Sequence, residues 1–429
     1  MKPTEKTGNR GTHGFGSKPV GKSRMFWAAI LMIGAGLLHS AQALDWPAWR
    51  GPDRDGASKE KDWLGEWSPA GPPVLWRASV GIALAGVTVA DGGVYTIGWG
   101  DEADTVRRLA EDSGEEVWSH AYPAAIFSDN FQGPASTPTV SNGRVYGLSR
   151  RGDLFCLDAA TGKPLWGCDV QAEFGVPHAP HGFSCSPLIE GDMMIMDIGK
   201  TIAFDKATGE VLWQTKDYGT SYSSAIAFDL AGHRCLAVFN ASGLVILRLA
   251  DGEEVCLQEW NMEGINNVNA TVPIIDGDLI FINSTYEMGS GLIKIAYQGE
   301  AEVVYKKPMR AFHHFANYVL HKGDLYGIEE KTIHCLDFKT GEQRWAEAAE
   351  LGKGALMLSE GKLVILSEAG ELIIASATPT GYEEIRRVHV LGGTSWTPPV
   401  LANGRLYCRN GKGDLVCLAP RGGEAGAGE

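Results

Sequence analysis

The sequence predicts an all-β protein, an eight-bladed β-propeller. Three observations predict it. A motif of the form Asp-x-x-Thr-Gly-x-x-x-Trp recurs through the chain, short β-prone runs alternate with turn residues, and the 429 residues include 55 glycines. Self-similarity at a period of 40–50 residues is the mark of stacked supersecondary units, and four short strands per unit is a propeller blade.

The motif stands as Asp158…Gly162…Trp166, Asp205…Gly209…Trp213 and Asp337…Gly341…Trp345, and more loosely as Glu111…Gly114…Trp118. A weaker copy, Ala250…Gly252…Cys256, has cysteine at the tryptophan position. Degenerate copies are Gln298-Gly299…Tyr305 and Thr380-Gly381…Ile385. Successive glycines are 48, 47, 43, 47, 42 and 40 residues apart. The stretch from Gly143 to Leu157 aligns without a gap to that from Gly404 to Leu418, an offset of 261, which is six such periods.

One unit reads as follows. Thr137–Val140 is a first strand, and Ser141-Asn142-Gly143 a hairpin turn. Arg144–Leu148 is a second strand and Asp153–Leu157 a third. Asp158–Gly162 is a tight turn in which glycine takes positive φ. A fourth strand carries Leu165 and Trp166, whose large ring belongs between blades. Inner strands begin near Ala85, Ser136, Cys185, Ser224, Thr271, Asn317, Leu356 and Thr397. Only seven outer strands follow them. Gly71-Pro-Pro-Val-Leu75-Trp76 precedes the first unit and supplies the eighth, closing the ring with residues 397–418. Seven blades is the alternative count, because the units at 291–305 and 375–385 are degenerate.

Upstream of the repeats, residues 1–24 carry Lys2, Lys6, Arg10, Lys18, Lys22 and Arg24 against the single acid Glu5. The uncharged run from Met25 to Leu38 and the small-residue end at Ser40-Ala41-Gln42-Ala43 complete the pattern of a secretory signal cleaved after Ala43. A phosphate-loop match at Gly16–Ser23 lies inside this segment and reads as chance. The expected organisation is a signal peptide at 1–43, a lead-in at 44–69, the propeller at 70–420 and a flexible tail at 421–429. No later run is apolar enough to span a bilayer, so no stable membrane span is expected after cleavage. With 38 Lys+Arg against 52 Asp+Glu, the formal charge is −14, which argues against a nucleic-acid partner.

The repeat string resembles that of the pyrroloquinoline-quinone (PQQ) propeller superfamily over about residues 70–420. The lead-in Trp46-Pro-Ala-Trp49-Arg-Gly-Pro-Asp-Arg-Asp-Gly56 resembles secreted BamB-like members. The resemblance implies one of two functions: a quinoprotein dehydrogenase holding PQQ with calcium, or a non-enzymatic propeller that binds proteins. The dehydrogenases carry a pair of adjacent cysteines against the quinone. None of the eight cysteines here are adjacent, and no Cys-x-x-Cys-His for haem occurs. No lipid-accepting cysteine precedes Cys156, so a lipid anchor of the BamB kind is not expected either.

The segments leading into the inner strands are rich in polar and aromatic residues, and in a propeller they converge on one end of the channel. Asn130, Gln132, His178, His181, Tyr222, Asn267, His313 and Trp396 are the candidate ligand- or partner-binding residues. His178, His181, His313 and His314 lack the spacing of a metal motif and read as loop residues. Asp129, Asn130 and Asn267 could supply some of the oxygens a calcium site of the quinoprotein type needs, but nothing in their spacing requires such a site. Cys156, Cys335 and Cys417 share one slot in the third strands of separate blades. Cys408 and Cys417 face each other across a hairpin turning at Lys412-Gly413, with unbonded thiols expected and a disulfide the alternative.

The expected function is an exported binding or scaffold propeller, periplasmic or secreted, without catalysis and without a cofactor or metal. Its expected partner is an envelope protein or a small polar ligand. The alternative is an alcohol- or sugar-oxidising quinoprotein using PQQ and calcium.

Overall fold

Near-continuous burial along the inner strands puts one apolar face of each sheet against the preceding blade and the other against the next, so the sheets stack face to face around an axis. The computed structural model describes residues 44–126, 132–177, 180–220, 222–261, 268–285, 288–297, 299–308 and 315–422. Residues 1–43, the expected signal segment, and the tail beyond 422 lie outside them. Eight antiparallel sheets form blades at 88–123, 139–169, 188–214, 226–259, 274–307, 319–348, 355–389 and 400–418, numbered 1 to 8 in that order.

Blade 8 has three strands of its own, and its outer strand is Val74–Ser79, paired antiparallel to Asp414–Leu418. The ring is closed by an amino-terminal strand, as the repeat count requires. Among the described residues one single-turn helix, Val170–Phe174, interrupts the all-β pattern; the Asp169 carboxylate caps it by accepting from the Gln171 and Ala172 N–H groups.

All eight blades share a register shift between third and fourth strands. The bulge turns the next side chain, usually tryptophan, toward the following blade. Trp76 Nε1 donates to Glu111 O at 2.9 Å, Trp118 Nε1 to Ala159 O at 3.0 Å and Trp345 Nε1 to Thr378 O at 2.8 Å. The motif glycine receives that ring. Gly114 has φ +73°, and a Cβ there would lie 2.6 Å from the Trp76 ring. Where blade 4 has Cys256 in place of tryptophan, the facing turn around Gly299 has lost the motif. In blade 7 the bulge places Arg386, not Ile385, in the tryptophan slot.

Seven inner strands begin two or three residues later than the sequence indicates, and that of blade 7 begins one residue earlier. The residues just before them bond between blades instead of within a sheet. Gly86 N donates to Thr137 Oγ1 (2.9 Å), Thr137 N to Ser186 Oγ (2.9 Å), Ser186 N to Ser224 Oγ (2.8 Å) and Val272 N to Asn317 Oδ1 (2.7 Å).

Cys408 and Cys417 are corrected. Cys417 pairs with Tyr407, and Cys408 with Val416, so the two thiols lie one register step apart on opposite faces of the sheet. All eight cysteines are free.

Candidate functional site

The lead-in segment runs across the axis. Trp46 exchanges backbone bonds with Val89 of blade 1, and Val140 of blade 2 donates to Pro47 O at 2.8 Å. Arg54 reaches the carbonyls of Ser186 and Pro187 beside blade 3 and of Ala225 beside blade 4. Arg50 reaches Tyr318 O beside blade 6 at 2.9 Å. Ala57–Ser58 adds a parallel strand to the inner edge of blade 7, and Glu60 accepts the Gly404 N–H of blade 8 at 2.9 Å. Blades 2 and 6 stand opposite each other in an eightfold ring, as do blades 4 and 8. A segment that touches all four crosses the channel and floors it.

Above that floor lies a cavity of about 160 Å³ at the end where the inner strands begin. Trp49 and Arg50 belong to the floor. The walls include Leu84, Ser184, Ser186, Tyr222, Ser224, Phe315, Asn317, Leu356 and Trp396. Apolar and aromatic side chains with a few placed polar groups are the usual lining of a small-ligand site.

Most of the polar groups on the wall have fixed partners, Thr285 being an exception. Ser184 Oγ donates to Tyr222 O at 3.1 Å, and the Tyr222 hydroxyl accepts the His181 N–H at 3.3 Å. Arg150, buried in the wall, donates to His181 O at 2.6 Å and Gly133 O at 2.9 Å. Trp396 Nε1 donates to Glu368 Oε1 at 2.9 Å, with the Lys353 ammonium 5.3 Å from the ring centre. The Phe315 ring sits 5.5 Å from that of Trp396. Ser224 and Asn317, which line the cavity, spend their oxygens on the inter-blade bonds described above.

Of the eight candidates, His181, Tyr222 and Trp396 come together on the cavity wall. Gln132 is exposed and is not among the cavity-lining residues. Asn130, His178, Asn267 and His313 lie outside the described residues, as do Asp129 and His314. Trp49, Arg50, Arg150 and Phe315 were missed. For the first two the available signal was an Arg50–Arg54 pair inside a glycine-rich lead-in, a place where buried charge is not expected. Among the described residues, no three His, Cys, Asp or Glu side chains gather as a metal site. No described helix is long and apolar enough to cross a membrane.

Comparison with known proteins places the fold in a family with two kinds of member. The outer membrane protein assembly factor BamB of Burkholderia pseudomallei is 23% identical over 370 residues, 81% of this chain and 88% of that protein. A quinoprotein ethanol dehydrogenase of Pseudomonas aeruginosa is 26% identical over 202 residues, 42% of this chain; the match spans only 32% of the dehydrogenase. The crystal structure of BamB from Moraxella catarrhalis superposes with a TM-score of 0.58 at 15% identity, covering 80% of this chain and 97% of that one. The family model described as outer membrane protein assembly factor BamB matches residues 102–347, more than half of the sequence. The chain belongs to the BamB-like family of PQQ-repeat propellers.

Proposed function

We propose that this chain is a non-catalytic binding propeller of the cell envelope, exported by residues 1–43 and working through the cavity at its channel mouth. The observation that carries this reading is the commitment of the wall's polar groups. Ser186, Ser224, Asn317 and Arg150 hold blades and loops together, which leaves aromatic surface and shape to make contact. Alignment with a BamB over 88% of its length supports a partner and a location in the envelope.

The rival reading, a PQQ- and calcium-dependent oxidoreductase, draws on the dehydrogenase relative. Calcium takes six to eight oxygen ligands, usually including carboxylates. No described Asp or Glu lines the cavity, and the Asn317 oxygen already accepts the Val272 N–H. The described residues do not fit that ion, so no step is assigned to the cofactor.

Two measurements test the proposal. Trp396→Ala should weaken capture of the envelope partner by about 1–3 kcal/mol while leaving the fold intact. Wild-type protein with added PQQ and calcium should not reduce a dye acceptor with any alcohol or sugar. Turnover that requires PQQ would overturn the binding reading.

A further inference from the structure

Among the described residues, the permanently charged side chains lining the cavity are cations. Arg50 and Arg150 line it, and no described acid does, in a chain whose formal charge is −14. Arg50 and Arg150 are 4% and 3% exposed. Their hydrogen bonds among the described residues go to backbone carbonyls. Arg50 Nε donates to Arg54 O (3.1 Å), and its Nη2 donates to Asp55 O (2.7 Å) and Tyr318 O (2.9 Å). A carbonyl satisfies a donor without cancelling its charge, so the floor retains positive potential.

Burial lowers the Arg50 pKa to about 10, with the nearby Asp55 carboxylate acting in the opposite sense; at neutral pH the guanidinium remains charged. Asp55 makes no ion pair with it, and its Oδ1 instead accepts the Ala57 N–H at 2.9 Å. Among the described residues, Arg50 Nη1 makes no hydrogen bond. Thr285, also on the cavity wall, has its hydroxyl buried without a partner. Near Trp396 the acid is Glu368, engaged by the Trp396 indole and the Lys353 N–H.

We propose that this cavity binds a carboxylate carried on a single ring or a compact apolar group, the carboxylate against Arg50 and the apolar body against Phe315 and Trp396. The inference rests on the binding reading above and names the chemistry of its ligand. One unspent guanidinium nitrogen and about 160 Å³ suit a monoanion of modest size. A phosphate ester would bring two charges to a site with too few free donors. The carboxylate comes either from a free organic acid or from the chain end of a peptide.

The test uses the full chain and its own fluorescence, since Trp49 and Trp396 both line the cavity. 3-Phenylpropanoate is titrated beside 3-phenylpropanamide, which has the same shape and no charge. The acid should bind at least about tenfold more tightly, the worth of a charge-assisted hydrogen bond. An acetylated dipeptide ending in phenylalanine, as acid and as amide, separates the two sources. Acid preference in this pair too indicates a chain end, and preference in the small pair alone indicates a free acid. Arg50→Met should abolish the preference and Arg50→Lys should keep part of it.

Because Arg50 also ties the lead-in to blade 6, the wild-type comparison stands without any variant. Equal binding of acid and amide, or binding of neither, overturns the proposal. Acid preference together with PQQ-dependent turnover would refute the non-catalytic reading and leave the carboxylate site in place.

Discussion

Removing the Trp76 ring tests the closure of the propeller at its seam. Trp76 is 7% exposed, packs 5.9 Å from the Tyr407 ring and donates to Glu111 O in blade 1. It therefore joins blade 8 to blade 1 as well as the closing strand to Asp414–Leu418. Burial of about 200 Å² at about 25 cal/mol per Å² gives about 5 kcal/mol. Emptying a tryptophan site usually costs about 3–5 kcal/mol, so Trp76→Ala should fall there. Trp76→Phe keeps most of the ring and loses the bond to Glu111, for about 1–2 kcal/mol. Gly114→Ala attacks the same contact from the other side, through a Cβ 2.6 Å from the ring at a positive φ, and should also destabilise. Leu165→Ala is the control. It sits at the equivalent bulge of blade 2 but is 47% exposed, and should change stability by less than about 0.5 kcal/mol. Urea unfolding followed by fluorescence and by near-ultraviolet dichroism gives the midpoints. A loss below about 1 kcal/mol for Trp76→Ala would place the ring outside the seam and refute the closure by this strand.

Three further outcomes are expected. Arg54→Ala removes a donor from the buried carbonyls of Ser186, Pro187 and Ala225, of which Pro187 O keeps the Thr139 hydroxyl, and should cost about 2–4 kcal/mol by the same unfolding assay. Burial raises the Asp197 carboxyl to about 7, with one oxygen left without a partner, so the folded chain holds this proton more tightly than the unfolded one. Stability should therefore rise as pH falls from about 7 to about 4, and Asp197→Asn should flatten that slope and stabilise the protein at pH 8 by up to about 4 kcal/mol. Burial pushes the Cys417 thiol up to about 12 and that of Cys408 higher still, so neither should react with a maleimide in the native protein at pH 7. Mass spectrometry after denaturation should count eight modified thiols with or without prior reduction.

The ring was legible because its marks are side chains of particular type at a fixed spacing. Tryptophan, glycine and aspartate mark the turn and the inter-blade slot, and Trp76 betrayed the displaced eighth strand. Register was less legible. A single step separated the expected pairing of Cys408 with Cys417 from the observed pairing of Tyr407 with Cys417, and hydropathy does not fix a step that leaves both faces buried. The floor of the cavity was hidden for a different reason. Arg50 and Arg54 bind backbone carbonyls, acceptors that every residue has, so no complementary side chain elsewhere in the sequence announces them. Ser224 and Asn317 head inner strands where polar residues suggest a ligand site, yet their oxygens tie neighbouring blades together.

The lead-in and the closing strand share a consequence for how the chain is made. Glu60 meets Gly404 across 344 residues and Trp67 meets Pro420 across 353, so the first folded residues find their partners among the last. Contacts of that span are slow to form, because the loop entropy is lost before they repay it. During synthesis, residues 44–79 emerge before any blade and wait, while blades 1 to 7 can fold on local hairpins. A product that stops early has neither Gly404 for Glu60 nor residues 414–418 for the strand at Val74–Ser79, and it presents a bare strand edge. Completion of the ring is thus a physical check on completion of the chain, and truncated products remain the ones that proteases can recognise.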